Sequence, residues 1–166
     1  MQCDGEDRAD AKHRMNIAQA RFGSLHHIWK DHRLRRSAKI RLYKSSVCST
    51  LTHACEAWNI TQDVRKMING FNSRCLHVIT GKPYRDTAVN PVFNLILAIR
   101  KCRLRFLCHI LHLEPNRLIR RTLEAYINTC PTEGSLLEDC GPTLFRELAL
   151  QADDRDAWRL RVNELQ

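Results

Sequence analysis

The sequence predicts an all-α protein, a bundle of about four main helices followed by a short, partly helical acidic tail. Glycine and proline are scarce, six and five among 166 residues, so long helices are permitted. Apolar residues recur at spacings of three and four along most of the chain, which is the period of an amphipathic helix. Hydrophobic residues make up 43% of the sequence, which is enough for a modest core.

The first two helices are predicted over residues 9–29 and 37–58. The apolar stripe of the first comprises Met15, Ala18, Phe22, Leu25 and Trp29. The stripe of the second comprises Ile40, Tyr43, Val47, Leu51, Ala54 and Trp58. These spacings place each set on one helix face. Gly23 weakens the middle of the first helix, because glycine costs about 1 kcal/mol there relative to alanine.

A third helix is predicted between Thr61, whose side-chain oxygen can cap free N–H groups, and Gly81, which favours a helix stop. Its apolar face comprises Val64, Ile68, Phe71, Cys75 and Val78. Residues 82–91 contain two prolines and read as a loop. A fourth helix is predicted over residues 91–113 with a break near Lys101, and another follows over 116–126.

Composition divides the chain into a basic helical domain over residues 1–127 and a tail over 128–166. Residues 128–142 are rich in glycine, proline, threonine and acids, which is typical of a linker, and two short helices are predicted at about 143–151 and 154–165.

No apolar run reaches the length of a membrane span, so we expect no membrane partner. The polar, acidic start does not resemble a secretory signal. We therefore expect an intracellular chain whose eight cysteines are mostly free thiols.

The formal net charge of +9 is concentrated in the middle of the chain. Residues 21–121 contain 20 Lys and Arg against five Asp and Glu, a balance of +15, whereas the flanks contain the other seven bases and 13 acids, a balance of −6. Such a basic region meets a phosphate backbone more often than an acidic protein. We expect a nucleic-acid backbone as the partner, which the family resemblance given below narrows to RNA–DNA or RNA, with an acidic protein as the alternative. No small-molecule substrate or cofactor is expected, and the oligomeric state is left open.

Two basic runs supply the candidate nucleic-acid-binding residues. These are Lys30, Arg33, Arg35, Arg36, Lys39, Arg41 and Lys44 in the first run, and Arg100, Lys101, Arg103 and Arg105 in the second. The forked guanidinium of arginine suits phosphate oxygens, and such contacts position a nucleic acid without reading its sequence. The alternative is a solvated helix face whose aliphatic stems pack on the core.

Two groups of residues raise the question of metal binding or covalent catalysis. The first comprises Cys102, Cys108, His109 and His112, but its spacing matches no zinc motif, and adjacent helical residues diverge by about 100°. The second is the pair Cys75 and His77, which face nearly opposite ways on a helix. We expect neither a metal site nor a catalytic dyad.

The segment Gln-Ala-Asp-Asp at 151–154 contains adjacent carboxylates, which polymerases use to hold two magnesium ions. Its flanks read as the end of one helix and the start of the next, whereas a polymerase hairpin needs apolar strands. We therefore expect Asp153 or Asp154 to be a helix N-cap.

Several segments follow one another in a recognisable order. They include Lys-Ile-Arg-Leu-Tyr-Lys-Ser at 39–45, Cys-Glu-Ala-Trp at 55–58, Arg-Leu-Arg-Phe-Leu-Cys-His-Ile-Leu at 103–111 and Asp-Arg-Asp-Ala-Trp-Arg at 154–159. Together with an Arg-to-Phe helix at 14–22, they resemble the region downstream of the catalytic palm in non-LTR retrotransposon endonuclease–reverse transcriptases. The resemblance covers nearly the whole chain.

The resemblance implies a thumb, a helical bundle that grips the template–primer duplex behind the active site of an RNA-directed DNA polymerase. It implies no bond-making by this chain, because the catalytic palm is not among the resembling segments. It also implies backbone contacts by Lys39, Arg41, Lys44, Arg103 and Arg105. Trp29, Trp58 and Phe106 are expected to be core anchors rather than base-stacking platforms.

The chain departs from the family pattern in two motifs. Where the family carries Tyr-Gly before its Glu-Thr-Trp element, this sequence has His53-Ala54-Cys55, and the family's Trp-Leu-Gly-His is Phe-Leu-Cys-His at 106–109. Such changes are compatible with a decayed copy of the element. A non-functional product is therefore a further alternative.

Overall fold

A computed structural model describes residues 4–81, 93–129 and 145–164 of this chain. These residues form helices joined by short turns, and no strand occurs among them, so the predicted all-α fold class is confirmed. Within these ranges, no helix is long and apolar enough to cross a membrane.

Most helices span nine residues or more, and short helical turns join some of them. In chain order they are α1 (Asp4–Ser24), α2 (His26–Lys30), α3 (Arg36–Leu42), a π-helical turn (Tyr43–Cys48), α4 (Ser49–Leu51), a 3₁₀ turn (Cys55–Ala57), α5 (Gln62–Thr80), α6 (Leu95–Leu111), α7 (Leu118–Thr129), α8 (Phe145–Asp153) and α9 (Arg155–Glu164). The predicted loop at 82–91 lies outside the described residues, as does most of the predicted linker, from residue 130 to 142.

The helices pack as two compact units. The first consists of the described residues in Met1–Cys55 and Gln62–Ile96, and the second of those in Glu56–Thr61 and Leu97–Gln166. The second unit extends to both sides of the boundary at 127/128 that composition suggested, and helix α7 runs across that boundary.

The first predicted helix is divided at Leu25 into α1 and α2. Beyond this break the chain turns so that the ring of Trp29 stacks on Phe22, with 5.0 Å between centroids and 16° between planes. The indole Nε1 of Trp29 donates a hydrogen bond of 2.8 Å to the carbonyl of Phe22, which also accepts the N–H of Leu25 at 3.3 Å. Trp29 is buried, as the apolar stripe predicted.

The second predicted helix starts at Arg36 but does not continue to Trp58 as expected. It widens into the π-helical turn at Tyr43–Cys48, and α4 ends at Leu51. The hydroxyl of Thr50 donates to the carbonyl of Ser46 at 2.8 Å, and that of Ser49 donates to the carbonyl of Ser45. These side chains satisfy carbonyls where the regular ladder is interrupted.

Helix α5 agrees with its prediction over most of its apolar face. Val64, Ile68, Phe71 and Cys75 are buried, but Val78 is 50% exposed and Ile79 is buried instead. The helix ends at the predicted glycine: Gly81 has φ of 69°, and its N–H donates to the carbonyl of His77 at 2.8 Å.

A buried polar connection links α3–α4 to α5 and to the start of α6. The hydroxyl of Tyr43 donates to Oδ1 of Asn72 at 2.9 Å, and Nδ2 of Asn72 donates to the carbonyl of Phe93 at 3.0 Å. Burial raises the pKa of Tyr43 far above its ordinary value, so this hydroxyl remains a donor.

Helix α6 is continuous through Lys101, so the expected break there was wrong. In the second unit its apolar face packs with α8 and α9. The buried cluster comprises Leu104, Leu107, Leu111, Leu148, Ala152, Trp158 and Val162. Nε1 of Trp158 donates to the carbonyl of Leu104 at 3.1 Å, which fixes the indole within this cluster.

The structure suggests one stabilising substitution outside the core. Ala54 has φ of 61°, a left-handed conformation that costs an alanine about 1 kcal/mol and a glycine little. We therefore expect Ala54→Gly to raise the free energy of unfolding by up to about 1 kcal/mol in urea titrations followed by circular dichroism. Ala20→Gly, at an exposed position within α1, should lower it by about 1 kcal/mol. Equal losses from both substitutions would contradict the left-handed assignment.

Candidate nucleic-acid interface

The first basic run starts at the end of α2, crosses the turn at 31–35 and continues along α3. Its one acid, Asp31, is engaged locally, because Oδ1 accepts a hydrogen bond of 2.8 Å from the N–H of Arg33. That bond shapes the turn. The carboxylate of Asp31 therefore accepts a backbone hydrogen bond and forms no ion pair with an arginine side chain among the described residues.

Six bases of this run have exposed side chains. They are Lys30, Arg33, Arg35, Arg36, Arg41 and Lys44, called here the basic surface. None of them forms an ion pair with a carboxylate in the part of the chain that the structure describes.

Two of the six exposed side chains are positioned by a contact at their charged end. Nη2 of Arg36 donates to the carbonyl of Thr80 at the end of α5, at 3.2 Å. Nζ of Lys44 lies 4.7 Å from the ring centroid of Phe93, a cation–π contact. Both contacts reduce the rotamer freedom that these side chains would lose on binding.

Lys39, predicted to contact phosphate, does not belong to the basic surface. It is only 7% exposed, and its Nζ donates a hydrogen bond of 2.7 Å to the carbonyl of Trp29. This carbonyl belongs to the last turn of α2, where a cation is favoured. Lys39 shares a helix face with the buried Tyr43, but lysine is so rarely buried that its residue type favoured an exposed position.

The second basic run is not a uniform surface. Arg105 is exposed and Arg100 is half-buried, but Arg103 is only 2% exposed, so its predicted phosphate contact is not available in this fold. Nζ of Lys101 donates to the carbonyl of Asn163 on α9, at 3.3 Å. Packing between α6 and the C-terminal helices explains these placements.

The cysteine and histidine candidates do not assemble into a larger constellation among the described residues. No group of three or more His, Cys, Asp or Glu suited to a metal ion occurs there. Sγ of Cys108 lies 3.7 Å from Nδ1 of His112, one turn along α6, while Cys102 is half-buried six residues before Cys108. The contact of Cys108 with His112 is therefore local to one helix.

The described cysteines are free thiols, as predicted, and three of them, Cys48, Cys55 and Cys75, are buried. Burial raises the pKa of Cys48 and of Cys75 to about 12, so both remain protonated near neutral pH. His77 is exposed, whereas Cys75 is buried. A buried neutral thiol is a poor nucleophile.

A groove of about 770 Å³ on the first unit has hydroxyl groups on its walls. Ser24, Ser45, Ser49 and Thr50 donate to backbone carbonyls of their own helical segments. Oγ of Ser46 accepts from Nε of Arg21 at 3.1 Å. Because most of its hydroxyl donors are already used, the groove has little with which to bind an anion.

The adjacent carboxylates at 153 and 154 lie where α8 ends and α9 starts. Oδ1 of Asp154 accepts hydrogen bonds of 3.0 Å from the N–H groups of Asp156 and Ala157, which confirms the predicted N-cap. Asp153 is the last residue of α8. The pair thus has the helical context that capping requires.

The aromatic side chains divide between the core and the surface. Trp29 and Trp58 are buried, as expected of core anchors. Phe106 is 38% exposed, so its prediction as a core anchor was wrong. An aromatic at this place on α6 lies on the outer face, opposite Leu104 and Leu107.

Comparisons with family models, curated proteins and solved structures find no match to this chain. The ordered motifs and the geometry described above are therefore what bear on its function.

Lys39 should affect stability rather than binding. Truncation to alanine removes a buried hydrogen bond from a charged donor, and we expect Lys39→Ala to lower the free energy of unfolding by about 2 kcal/mol. Arg41→Ala, two residues away and exposed, should change it by less than about 0.5 kcal/mol. Urea unfolding followed by circular dichroism measures both, and equal effects would contradict the assigned roles.

The capping role of Asp154 makes a separate prediction. Loss of both backbone acceptor bonds in Asp154→Ala should lower the free energy of unfolding by about 1 kcal/mol. Asp153→Ala, with the same change of charge, should cost less than about 0.5 kcal/mol. A larger cost at Asp153 in the same thermal or urea unfolding experiment would contradict the cap.

Proposed function

We propose that this chain is a non-catalytic, nucleic-acid-binding helical region of the thumb and tail type found in non-LTR retrotransposon reverse transcriptases. Its role would be to hold the backbone of an RNA–DNA or RNA duplex. The observation that carries the proposal is the basic surface, six exposed cations in residues 30–44 without a carboxylate partner among the described residues.

The charge on this surface is available to a ligand. Exposed cations without nearby carboxylates attract the phosphate backbone and displace its condensed counterions, which drives binding in salt-dependent fashion. Arg33, Arg35 and Arg41 also present forked donors suited to phosphate oxygens. The expected recognition is of backbone shape and charge rather than of base sequence.

The helical scaffold supports the same role. The turn at 31–35 lies between the end of α2 and the start of α3, and the bond from Lys39 to the carbonyl of Trp29 joins the two helices. Arg36 and Lys44 are anchored on Thr80 and Phe93. Cations held on rigid elements lose less entropy on binding than cations on a flexible tail.

The backbone near residue 54 supports the family resemblance. Residues 53–55 occupy the place where the family carries Tyr-Gly, and Ala54 adopts a left-handed conformation that favours glycine. A glycine in that motif would relieve the strain that the present alanine bears. The local geometry is thus the one that a glycine-containing motif would select.

The parent activity, RNA-directed DNA polymerisation, is part of the proposal only as the setting in which this region would work. The chain itself would contribute positioning and electrostatic holding. An acidic protein partner is the competing occupant of the same surface, since it too would be attracted by exposed cations.

Salt dependence tests the proposal directly. If the six cations each neutralise one phosphate, the logarithm of the association constant should fall with the logarithm of salt concentration at a slope of about −5. Between about 50 and 200 mM salt, the affinity for a labelled RNA–DNA duplex should therefore fall by about 10³-fold. Fluorescence anisotropy measures this, and binding that does not weaken with salt would exclude backbone holding.

A charge-matched pair of variants locates the contact. Arg33→Gln/Arg35→Gln/Arg41→Gln should reduce the slope to between about −2 and −3, because three phosphate contacts are lost. Lys12→Gln/Lys66→Gln/Arg74→Gln removes the same charge from other exposed positions of the first unit. It should change the slope by less than about 0.9, the value for one phosphate contact. Equal changes in the two variants would reject the basic surface, and tight binding only to an acidic peptide would favour the competing reading.

A further inference from the structure

A cationic pocket of about 560 Å³ lies within the second unit, between α6 and α9. Helix α6 contributes Arg105 and His109 to its walls, the residue that follows the helix contributes His112, and α9 contributes Arg155 and Arg159. The two arginines of α9 were not among the predicted site residues, because they lie in a tail whose charge is acidic in sum. Only the packing of α9 against α6 brings them together with Arg105.

The pocket walls carry positive charge and no carboxylate among the residues that line it. Two acids flank Arg155 in sequence: Asp154 caps α9, and Asp156 accepts a hydrogen bond of 3.0 Å from Nη1 of Arg159. Asp156 is 87% exposed, and an exposed i,i+3 ion pair of this kind contributes little. Arg159 can therefore exchange this contact for one with a buried or multiply charged anion.

A relay of hydrogen bonds orients Arg155 at the pocket. Nδ1 of His112 lies 2.7 Å from the carbonyl of Cys108, and because a carbonyl only accepts, Nδ1 is the donor. Nε2 of His112 then accepts from Nε of Arg155, at 3.5 Å. The terminal amino groups of Arg155 form no hydrogen bond with any described residue, so they remain available to a ligand.

Two buried apolar residues of α9, Trp158 and Val162, also line the pocket, and the indole of Trp158 is fixed by its hydrogen bond to the carbonyl of Leu104. A lining that combines cations with apolar side chains suits a ligand that has both an anionic group and an apolar or aromatic body. A volume of about 560 Å³ is in the range of small-molecule sites.

We propose that this pocket binds the phosphomonoester of a nucleotide, with the phosphate between Arg155, Arg159 and Arg105 and the base towards Trp158. Two guanidinium forks suit a phosphomonoester dianion better than a single carboxylate. The ligand is either a free nucleoside monophosphate or the phosphorylated end of a strand. The proposal does not rest on backbone holding by residues 30–44, because the pocket belongs to the other unit.

Titration of the full-length chain with adenosine monophosphate tests the pocket, with tryptophan fluorescence and isothermal calorimetry as readouts. We expect Arg155→Gln/Arg159→Gln to weaken binding at least about tenfold, since each lost charge-assisted bond is worth about that much. Arg117→Gln/Arg121→Gln, two exposed arginines of the same unit outside the pocket, should change the affinity less than about twofold. Adenosine and inorganic phosphate should each bind at least about tenfold more weakly than the nucleotide.

Thermal unfolding by circular dichroism checks each variant, and Arg105→Gln on α6 serves as a second test if the α9 double variant does not fold. Equal affinity for adenosine and its monophosphate would overturn the proposal. Unchanged nucleotide affinity in both Arg105→Gln and the folded Arg155→Gln/Arg159→Gln variant would also overturn it. The same holds if adenosine monophosphate does not bind the unmodified chain at concentrations up to about 1 mM. Competition by a 5′-phosphorylated but not a 5′-hydroxyl tetranucleotide would identify a strand end as the source. Failure of the phosphorylated strand to compete would identify a free nucleotide.

Discussion

The hydrogen bond from the buried ammonium of Lys39 to the carbonyl of Trp29 is the contact on which the rest of the first unit depends most. It joins the last turn of α2 to α3 across a distance of ten residues. With the ammonium turned inward, the other bases between residues 30 and 44 remain on the outside. A buried amine needs a partner, and a helix end that lacks partners for its carbonyls supplies one. The connection between α2 and α3 therefore contributes to the stability of this unit and also leaves the neighbouring cations exposed.

The π-helical turn at Tyr43–Cys48 has a related consequence for the core. It interrupts a helix that would otherwise have run straight from Arg36, and it comes where α1 packs against this segment. Tyr43 enters the core at the start of the turn, where its hydroxyl donates to Asn72 and its ring meets Phe22 edge-on at 6.2 Å. The side chains of Tyr43 and Asn72 are thereby hydrogen-bonded inside this unit, which favours one packing over others.

The two units present positive charge in different ways. In the first unit the cations are exposed along the end of α2, the turn at 31–35 and the segment from α3 to the π-helical turn, a distribution that we propose suits an extended polyanion. In the second unit cations and apolar side chains line one cavity, which we propose suits a compact anion with an aromatic body. The arrangement of the cations, rather than the net charge, distinguishes the two proposals.

The sequence by itself determined the helices, the apolar face of α5, the stop at Gly81 and the cap at Asp154. These depend on neighbours within one or two turns, so periodicity and capping residues report them. The helix boundaries were less predictable: α1 and α2 separate at Leu25, where Trp29 folds back onto Phe22, and the helix from Arg36 widens at Tyr43, whose hydroxyl bonds to Asn72 on α5.

The functional candidates show the same division between local and distant causes. Which bases face solvent was decided by tertiary structure alone, because Lys39 and Arg103 are of the same residue types as their exposed neighbours and differ only in what packs around them. Arg155 and Arg159 joined Arg105 for the same reason, since a charge tally along the chain contains no information about which helices meet.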